Sequence, residues 1–459
     1  MLFRSGHVAF PIHTTELEGV GSIGISFWAD NRPVDEMVIT YCISTDAGVA
    51  QCKASQRGTV SLNGLDSVRL STQGSGGKGR LPDAAIHFVR LDSDQVLGVF
   101  RRNTWEPGRF ETWRLKRTAA GLRSYFADTL LPAFGAAVTG AVTEVQLQTR
   151  GLDLFDLLFP EPGPNDAPEA GVARAEFVKF VRDHLEGDSP TQSEHTQPPS
   201  IFVRMLTQDD DSLEVLPLGL LAVKVSETRT EFIGFHFRVE TPLEVQNYQP
   251  ATQCISTWAL VLPPARSADL SDVREAMDAS VADFIEGAQY PYSKMVDFGD
   301  YLAGGTESEA AAVAVLSHHN KNQLYYSPTD VVLSDSVNRR FAKPSLAILD
   351  GCSTGAPGAV DFIRKLNQQG MASIITTSTA VTPQLAGDFL ACLAGEIRTH
   401  GAQPDYYLSN AYLNTIECLQ GKSMIVRGVE YGKYGSRALA YSLLGNGNLK
   451  LCVPKKRPQ

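Results

Sequence analysis

Apolar and polar residues alternate in short segments along the first 135 or so positions of the chain. In GSIGISFW, the apolar side chains Ile23, Ile25 and Phe27 occupy every second position, the period of a half-buried β-strand. Similar segments follow between Gly, Asn and Asp turns: EMVITYCI, AIHFVRL, QVLGVF and FETWRLKR. A helix with apolar residues four apart, from Leu122 to Leu130, closes the region. The pattern predicts an antiparallel sheet or sandwich.

The next sixty residues mix several patterns. EVQLQT predicts a strand, and GLDLFDLLF predicts a short helix. Two acidic, Pro-rich stretches, residues 160–171 and 186–200, flank another short helix. They have too few apolar residues to offset the entropy of ordering, so we expect exposed loops or disorder there.

From residue 201 onward, strands and helices alternate. The strand segments are IFVRML, TWALVL, AAVAVL, SLAIL and ASIITT. AAVAVL and SLAIL contain almost no polar residue, as expected when both faces of a parallel strand are covered. Amphipathic helices follow three of these strands, with apolar stripes over Val273–Phe284, Val360–Leu366 and Leu385–Ile397. We therefore predict an α/β fold with a mostly parallel sheet and helices on both faces over residues 141–459, preceded by a β-rich domain over residues 1–140.

Composition narrows the class of protein. The chain has 459 residues, 43% hydrophobic and 20% charged, which suits a globular protein with a sizeable core. A net charge of −10 argues against nucleic-acid binding, and no apolar segment is long enough for a signal peptide or a membrane span. Seven scattered cysteines without a C-x-x-C pair fit neither a disulfide framework nor a zinc site. We expect a reducing, cytoplasmic setting, in which a thiol stays available as a nucleophile.

Chemically versatile residues follow two of the apolar strands. AAVAVL leads into His318 and His319, and SLAIL leads through Asp350 into Cys352. Ligands and chemistry in open α/β sheets gather at the carboxyl ends of the strands. A cysteine at a strand end is more often an inert packing residue, but an imidazole at the end of a neighbouring strand would activate it and protonate a leaving amine. The pair is therefore a candidate catalytic dyad if the two strands lie side by side.

The order of these motifs resembles the caspase-like cysteine peptidases, which include caspases, metacaspases, separases, gingipains and bacterial CHAT-domain proteases. The segment at residues 201–221 is similar to the entry strand of the CHAT branch and the Leu-Pro-Trp-Glu-type segment after it, with Leu218-Gly219 in place of Trp-Glu. Residues 438–454 resemble the closing element of that branch, with Asn446-Gly447 in place of Asp-Pro. The resemblance covers residues 145–459, about two-thirds of the chain.

The resemblance implies roles for individual residues. Cys352 takes the place of the nucleophile. The caspase pattern Ser-His-Gly selects His318, whereas the x-Gly-His-Gly pattern of metacaspases and CHAT proteins selects His319 and puts Asn320 at the glycine; the second is favoured because Asn tolerates left-handed backbone better than His. The backbone amides of Cys352 and of the residue after the catalytic histidine, Asn320 in that case, would form the oxyanion hole.

Asp350 has two possible roles. It matches the aspartate of the metacaspase Asp-x-Cys-x-Ser-Gly pattern, which helps bind a basic P1 side chain. Positions 350 and 352 point the same way in an alternating strand, so the Asp350 carboxylate would then line the P1 pocket. Alternatively, it is a turn-forming residue that bonds a local amide.

The function that this resemblance implies is a cytoplasmic cysteine endopeptidase in a regulated bacterial signalling or defence system. It would cleave a dedicated protein substrate and need neither cofactor nor metal, and residues 1–140 would bind an activating partner or ligand. We expect no membrane and no direct nucleic-acid partner. Two alternatives stay open: a catalytically silent scaffold that binds partners through its N-terminal domain, and a protease that cuts its own loop within residues 160–200.

Overall fold

The structure of the chain is a computed structural model. The described residues are 19–29, 32–43, 61–62, 83–90, 94–102, 104, 110–162, 171–186, 198–206, 216–241, 243, 254–255, 257–262, 290–304, 310–320, 322–341, 345–356, 360–401, 403, 406–426 and 429–452. The helix predicted over Val273–Phe284, and most of the two loops predicted at 160–171 and 186–200, lie outside these ranges. The chain divides into two compact units, Met1–Gly76 and Gly77–Gln459.

The first unit contains one antiparallel sheet, described by its backbone. Its strands are β1 (Gly19–Ala29), β2 (Arg32–Ile43) and β3 (Ser61–Leu62). β2 pairs with both β1 and β3. The two strands predicted from GSIGISFW and EMVITYCI are β1 and β2.

The second unit begins with a five-stranded sheet that joins distant parts of the chain. Its strands are β4 (Ala84–Arg90), β5 (Val96–Arg102), β6 (Glu111–Arg114), β7 (Ser200–Leu206) and β10 (Arg238–Glu240). Between β7 and β10 in the sequence, β8 (Ala222–Lys224) and β9 (Thr230–Phe232) pair as a separate small hairpin. The order in the sheet is β10-β7-β4-β5-β6. β4 pairs antiparallel with β5 but parallel with β7, so residues on both sides of the boundary predicted at 140 share one sheet. A separate regulatory role for residues 1–140 stays a prediction.

The second unit also contains a six-stranded, mostly parallel sheet. The remaining strands are β11 (Cys254–Ile255), β12 (Trp258–Val261), β13 (Tyr290–Tyr292), β14 (Ala312–Leu316), β15 (His318–Asn320), β16 (Gln323–Ser327), β17 (Asp330–Leu333), β18 (Ser345–Asp350), β19 (Met371–Thr377), β20 (Ser423–Val426), β21 (Val429–Lys433), β22 (Tyr441–Gly445) and β23 (Lys450–Leu451). The order in the main sheet is β13-β12-β14-β18-β19-β22, and only β22 runs antiparallel to its neighbour. β15, β16 and β17 form a separate three-stranded antiparallel sheet.

Helices α1 to α9 connect and cover these sheets. Their bounds are α1 (Ala119–Tyr125), α2 (Leu131–Val138), α3 (Glu144–Leu158), α4 (Val172–Leu185), α5 (Ile233–His236), α6 (Met295–Ala303), α7 (Asp361–Gln368), α8 (Pro383–His400) and α9 (Leu408–Gly421). A π-helical turn, Phe126–Leu130, joins α1 to α2. α7 is followed by Gly370 at φ +103°, a left-handed conformation that glycine commonly adopts just after the end of a helix.

The prediction of a strand from EVQLQT is wrong, because these residues form the first turns of α3. Thr143 and Gln146 make a capping box: the Thr143 side chain accepts from the Gln146 N–H, and the Gln146 side chain accepts from the Thr143 N–H. Leu147, Leu154 and Leu158 are buried along one face of this helix. The box and this helical stripe outweigh the short alternation that suggested a strand.

The main sheet is covered on both faces, as predicted. Even-numbered residues of β14 and β18, such as Ala314 and Ile348, pack in one apolar cluster with Phe389 of α8. Odd-numbered residues, such as Val315, pack in a second cluster with Phe298 of α6. Both clusters are apolar because each strand is buried on both sides. The prediction of an α/β fold with helices on both faces is therefore confirmed for the described residues.

The cysteines do not all stay reduced, contrary to the prediction. Cys392 of α8 and Cys418 of α9 form a disulfide, with their Cα atoms 6.0 Å apart, and Cys452 is also disulfide-bonded. The Cys392–Cys418 pair could not be recognised in the sequence, because the two cysteines are 26 residues apart and meet only when α8 and α9 pack together. Disulfides persist in oxidising compartments, so the predicted reducing, cytoplasmic setting loses the observation on which it rested. Of the described helices, none has the length and apolar character to cross a membrane.

We predict that the Cys392–Cys418 disulfide contributes measurably to stability. The variant with both Cys392→Ala and Cys418→Ala should lose about 3 kcal/mol of unfolding free energy, because closing a loop of this length restricts the unfolded chain. Urea titration followed by circular dichroism measures the change. Cys352→Ala is the control. Because Cys352 is a free thiol, this variant should have an unfolding midpoint close to that of wild type. An unchanged midpoint in the double variant would contradict the prediction.

Candidate active site

Two parallel strands bring the candidate catalytic residues to one edge of the main sheet. β14 pairs directly with β18, and Leu316 lies opposite Asp350 at the carboxyl ends of both strands. The pairing continues one step further, because the Ser317 N–H donates to the Asp350 carbonyl at 3.1 Å. The His-bearing and Cys-bearing strands therefore lie side by side, which is the condition that the candidate dyad requires.

A tight turn after β18 carries Cys352. Gly351 leaves no room for a side chain, since a Cβ there would lie 2.6 Å from the carbonyl oxygen of Ser317. Ser353 has φ +56°, a left-handed conformation that is uncommon for a residue other than glycine. The Ser353 N–H donates to the Thr379 carbonyl at 2.9 Å, which holds the turn against the loop after β19. Cys352 therefore lies on a constrained turn rather than in the apolar core.

Cys352 and His318 line the same surface cavity. The lining also includes Asp350, and the end of the preceding loop and the first turn of α8 contribute Val381, Thr382, Pro383 and Ala386. Cys352 is only partly buried, and its Sγ donates to the Val381 carbonyl at 3.5 Å. A partly accessible thiol beside an imidazole is the arrangement that nucleophilic catalysis requires.

The first turn of α8 adds a favourable electrostatic environment. Thr382 caps the helix by accepting from the Leu385 N–H at 3.2 Å, and Pro383 occupies the first helical position. The amino end of an 18-residue helix thus faces the cavity. The partial positive charge at a helix amino end stabilises a nearby thiolate or a developing oxyanion.

The two adjacent histidines occupy different positions. His318 lines the cavity, and its ring lies 5.5 Å from that of Tyr325. His319 turns toward the backbone of the Cys352 turn: its Nδ1 lies 3.2 Å from the Cys352 carbonyl oxygen, and its Nε2 is shielded from solvent. A carbonyl only accepts, so Nδ1 of His319 carries the proton. Asn320 is exposed and pairs with Gln323 in the β15–β16 hairpin.

Asp350 is buried beneath the cavity, with only 2% of its surface exposed. The Tyr441 hydroxyl donates to its Oδ1 at 2.8 Å, and its Oδ2 has no hydrogen-bond partner within the described residues. Burial raises the pKa of Asp350 to about 7, although the Tyr441 hydrogen bond opposes that rise. Burial, followed by the neighbouring Asp350 charge, also raises the pKa of Tyr441 well above its usual value. Asp350 is thus a cavity-lining carboxyl with one uncompensated oxygen rather than a turn residue bonded to an amide.

Several residues of the site were not identified from the sequence. Tyr441, the partner of Asp350, comes from β22 and stacks on Phe389 with ring centroids 3.8 Å apart. The signal for the α8 wall was present, since Thr382-Pro383 is a helix-start pattern directly after a strand. Nothing in the sequence indicates the contact of Tyr441, because it depends on the antiparallel addition of β22 to the sheet.

No metal-binding group of three or more His, Cys, Asp or Glu side chains occurs among the residues that the structure describes. His318 and His319 differ in orientation: His318 lines the cavity, whereas His319 contacts the Cys352 carbonyl. The chemistry available from these side chains is that of a thiol, imidazoles and a buried carboxyl.

Comparison with known proteins gives structural similarities only. No protein-family model and no curated protein matches the chain. Its structure is similar to Saccharomyces cerevisiae separase in a separase–securin complex, at 11% identity and a TM-score of 0.44, over 79% of this chain and 30% of the separase chain. It is also similar to the Arg-specific cysteine proteinase gingipain R, at 9% identity and a TM-score of 0.37, over 72% of this chain and 76% of that chain. A complex of Porphyromonas gingivalis RgpB pro- and mature domains is similar at 9% identity and a TM-score of 0.38, over 71% of this chain and 77% of that chain.

We predict that Asp350 makes stability depend on pH between about 4 and about 7. Its pKa is raised to about 7 in the folded protein, against 3.8 as the ordinary value, so the folded state holds this proton more tightly than the unfolded state. The associated stability is fully present below pH 4 and is lost as pH rises through 7, at up to about 1.4 kcal/mol per pH unit. Urea titrations of wild type and Asp350→Asn across this range measure it.

Asp350→Asn should flatten this part of the pH profile while keeping an acceptor for the Tyr441 hydroxyl. Tyr441→Phe is the matched control: it removes the hydrogen bond that lowers the pKa of Asp350, so the loss of stability should extend to higher pH. Equal pH slopes for wild type and Asp350→Asn would show that Asp350 does not titrate in this range.

Proposed function

We propose that this chain is a cysteine endopeptidase of the caspase-like type, with Cys352 as nucleophile and His318 as its general base and acid. The observation that carries the proposal is the shared cavity: Cys352 and His318 line it together at the carboxyl ends of adjacent parallel strands. His318 is preferred over His319 because the Nδ1 of His319 is engaged by the Cys352 carbonyl and its Nε2 is shielded.

The reaction follows from the chemistry of these two side chains. His318 takes the thiol proton, and the Cys352 sulfur attacks the scissile carbonyl carbon to give a tetrahedral oxyanion. The C–N bond then breaks as His318 returns the proton to the leaving amine, which leaves a thioester. Water, deprotonated by His318, attacks that thioester and releases the acid and the free thiol. The amino end of α8 stabilises the thiolate that starts this sequence.

Backbone amides are the proposed oxyanion donors. The Cys352 N–H donates to no acceptor among the described residues, so it is free to face a substrate oxygen. The second donor is the amide of the residue after the catalytic histidine: with His318 as the base, that residue is His319, whereas Asn320 takes this place only if His319 is the base. Each such donor is worth about 10²–10³ in rate when it is well placed.

The substrate proposal rests on Asp350. A buried carboxyl whose second oxygen lacks a partner is costly, and a guanidinium or ammonium group that enters the cavity would compensate it. We therefore propose cleavage after Arg or Lys. In line with the resemblance to the CHAT branch, we propose that the protease acts on a dedicated protein substrate in a regulated bacterial signalling or defence system, and that residues 1–140 bind the activating partner.

We expect Cys352→Ala to abolish cleavage and His318→Gln to lower kcat/KM by about 10²–10⁴, the range for loss of a general base. Cleavage is measured with a peptide library by mass spectrometry, and thiol reactivity with a peptidyl acyloxymethyl ketone that carries Arg at P1. His184→Gln is the matched control, because His184 lies on α4 and its Nδ1 contacts the Phe180 carbonyl of the same helix. If wild type neither cleaves any peptide nor forms a Cys352 adduct, the chain is a scaffold rather than a protease.

We further expect Asp350→Asn to lower kcat/KM for Arg-P1 and Lys-P1 peptides by about 10²-fold, because the variant removes the carboxylate from the pocket. Peptides with neutral P1 residues should change much less. The ratio of kcat/KM for matched Arg-P1 and Gln-P1 peptides isolates this effect from any general loss of activity. A ratio equal to that of wild type would remove Asp350 from the P1 pocket.

A further inference from the structure

The two peptide planes that meet at the Cys352 Cα are each fixed from outside the turn. In the first plane, the Thr377 hydroxyl donates to the Gly351 carbonyl. In the second plane, His319 Nδ1–H donates to the Cys352 carbonyl, and the Ser353 N–H donates to the Thr379 carbonyl. When both planes are fixed, the direction of the Cα–Cβ bond between them is fixed as well. The Cys352 Cβ and N–H are thereby oriented together, and the contact of Sγ with the Val381 carbonyl holds the thiol itself.

His319 is itself well placed to hold the second plane. It lies in β15, opposite Leu324 of β16, which is buried. Gly351 allows the strand ends to approach closely, since a Cβ on Gly351 would lie 2.6 Å from the carbonyl oxygen of Ser317, two residues before His319. The imidazole therefore reaches the Cys352 carbonyl from a strand rather than from a loop, which favours a precise position.

The strained backbone of Ser353, the residue after the proposed nucleophile, requires contacts such as that of His319 to hold it. Ser353 at φ +56° is a sparsely populated state for a serine, and such states persist only when neighbouring contacts fix them. The Thr379 carbonyl contact fixes the amide of this residue, and the His319 contact fixes the carbonyl on the same peptide plane. Without His319, that plane keeps one of its two restraints, and the turn that aims the sulfur loosens.

We propose that His319 is a positioning residue that fixes the Cys352–Ser353 peptide plane, so that the sulfur and the Cys352 N–H are aligned for attack and oxyanion binding. The proposal rests on the proposed function, because it assigns His319 a role in the same reaction. His319 does not exchange the substrate proton. It acts through one hydrogen bond, from its Nδ1–H to the Cys352 carbonyl oxygen.

Two reagents separate this role from that of a general base. Alkylation by iodoacetamide displaces iodide at an sp³ carbon and needs a thiolate but no oxyanion hole. Acylation by 4-nitrophenyl acetate passes through a tetrahedral oxyanion and needs both. We compare the rate constant of Cys352 alkylation across pH 5–9 with the rate constant of the 4-nitrophenolate burst, for wild type and the histidine variants. Cys352→Ala provides the background rate of each reaction.

His319→Gln should lower the acylation rate constant by about 10- to 100-fold, because the Cys352 N–H would no longer be aimed at the oxyanion. The alkylation pH profile should stay close to that of wild type, because His318 can still generate the thiolate. His319→Asn should retain acylation within about threefold, since the amide nitrogen of Asn lies two bonds beyond Cβ, as Nδ1 does. His318→Gln should lower both rate constants and shift the alkylation profile to higher pH, since it removes the base.

Each of the remaining outcomes contradicts either the positioning role of His319, the choice of His318 as the base, or the proposed function. If both His319 variants match wild type in both reactions, the carbonyl contact has no positioning role. If His319→Gln shifts the alkylation profile as His318→Gln is expected to, His319 is the base. If Asn and Gln at position 319 lose acylation equally, the Nδ1 hydrogen bond is not the cause. If Cys352 of the wild-type chain reacts no faster than an exposed thiol in either reaction, the proposed function fails, and this result is independent of the histidine comparison.

Discussion

The parallel pairing of β14 with β18 is the constraint on which the candidate site depends. It places Leu316 opposite Asp350, and the chain that leaves these two strand ends carries His318, His319 and Cys352. Both strands are apolar on both faces, so a slip of register would not expose their residues to water. Their alignment is instead maintained at the ends, where the Ser317 N–H donates to the Asp350 carbonyl and Gly351 packs against the Ser317 carbonyl. Because Gly351 has no side chain, it allows both the close pairing of the two strand ends and the tight turn that carries Cys352.

Much of this arrangement could be predicted from hydrophobic pattern alone. Nearly uninterrupted apolar runs identified β14 and β18, because both faces of these strands are buried. The carboxyl-end rule then placed Cys352 and the histidines at one edge. The error at residues 144–149 has a local cause that the sequence did contain: Thr143 and Gln146 have the spacing of a capping box, and a helical stripe continues beyond them.

Other features depend on contacts that no local pattern records. The Cys392–Cys418 disulfide needs the packing of α8 against α9, and the Tyr441–Asp350 hydrogen bond needs β22 at the far side of β19. The choice between His318 and His319 depends on how the chain turns from β14 into the β15–β16 hairpin. Backbone preference at Asn320 favoured His319, yet the cavity wall contains His318, because side-chain direction is set by the hairpin rather than by the tolerance of the next residue.

The disulfide has a consequence for the redox conditions under which such a site functions. Among the cysteines whose side chains the structure describes, Cys352 is free while Cys392, Cys418 and Cys452 are oxidised. An environment that maintains the disulfides also exposes the partly accessible Cys352 thiol to peroxide and to mixed-disulfide formation, the first steps of cysteine oxidation. Under the proposed function, the chain therefore works within a redox window, bounded on one side by reduction of its helix cross-link and on the other by oxidation of the Cys352 thiol.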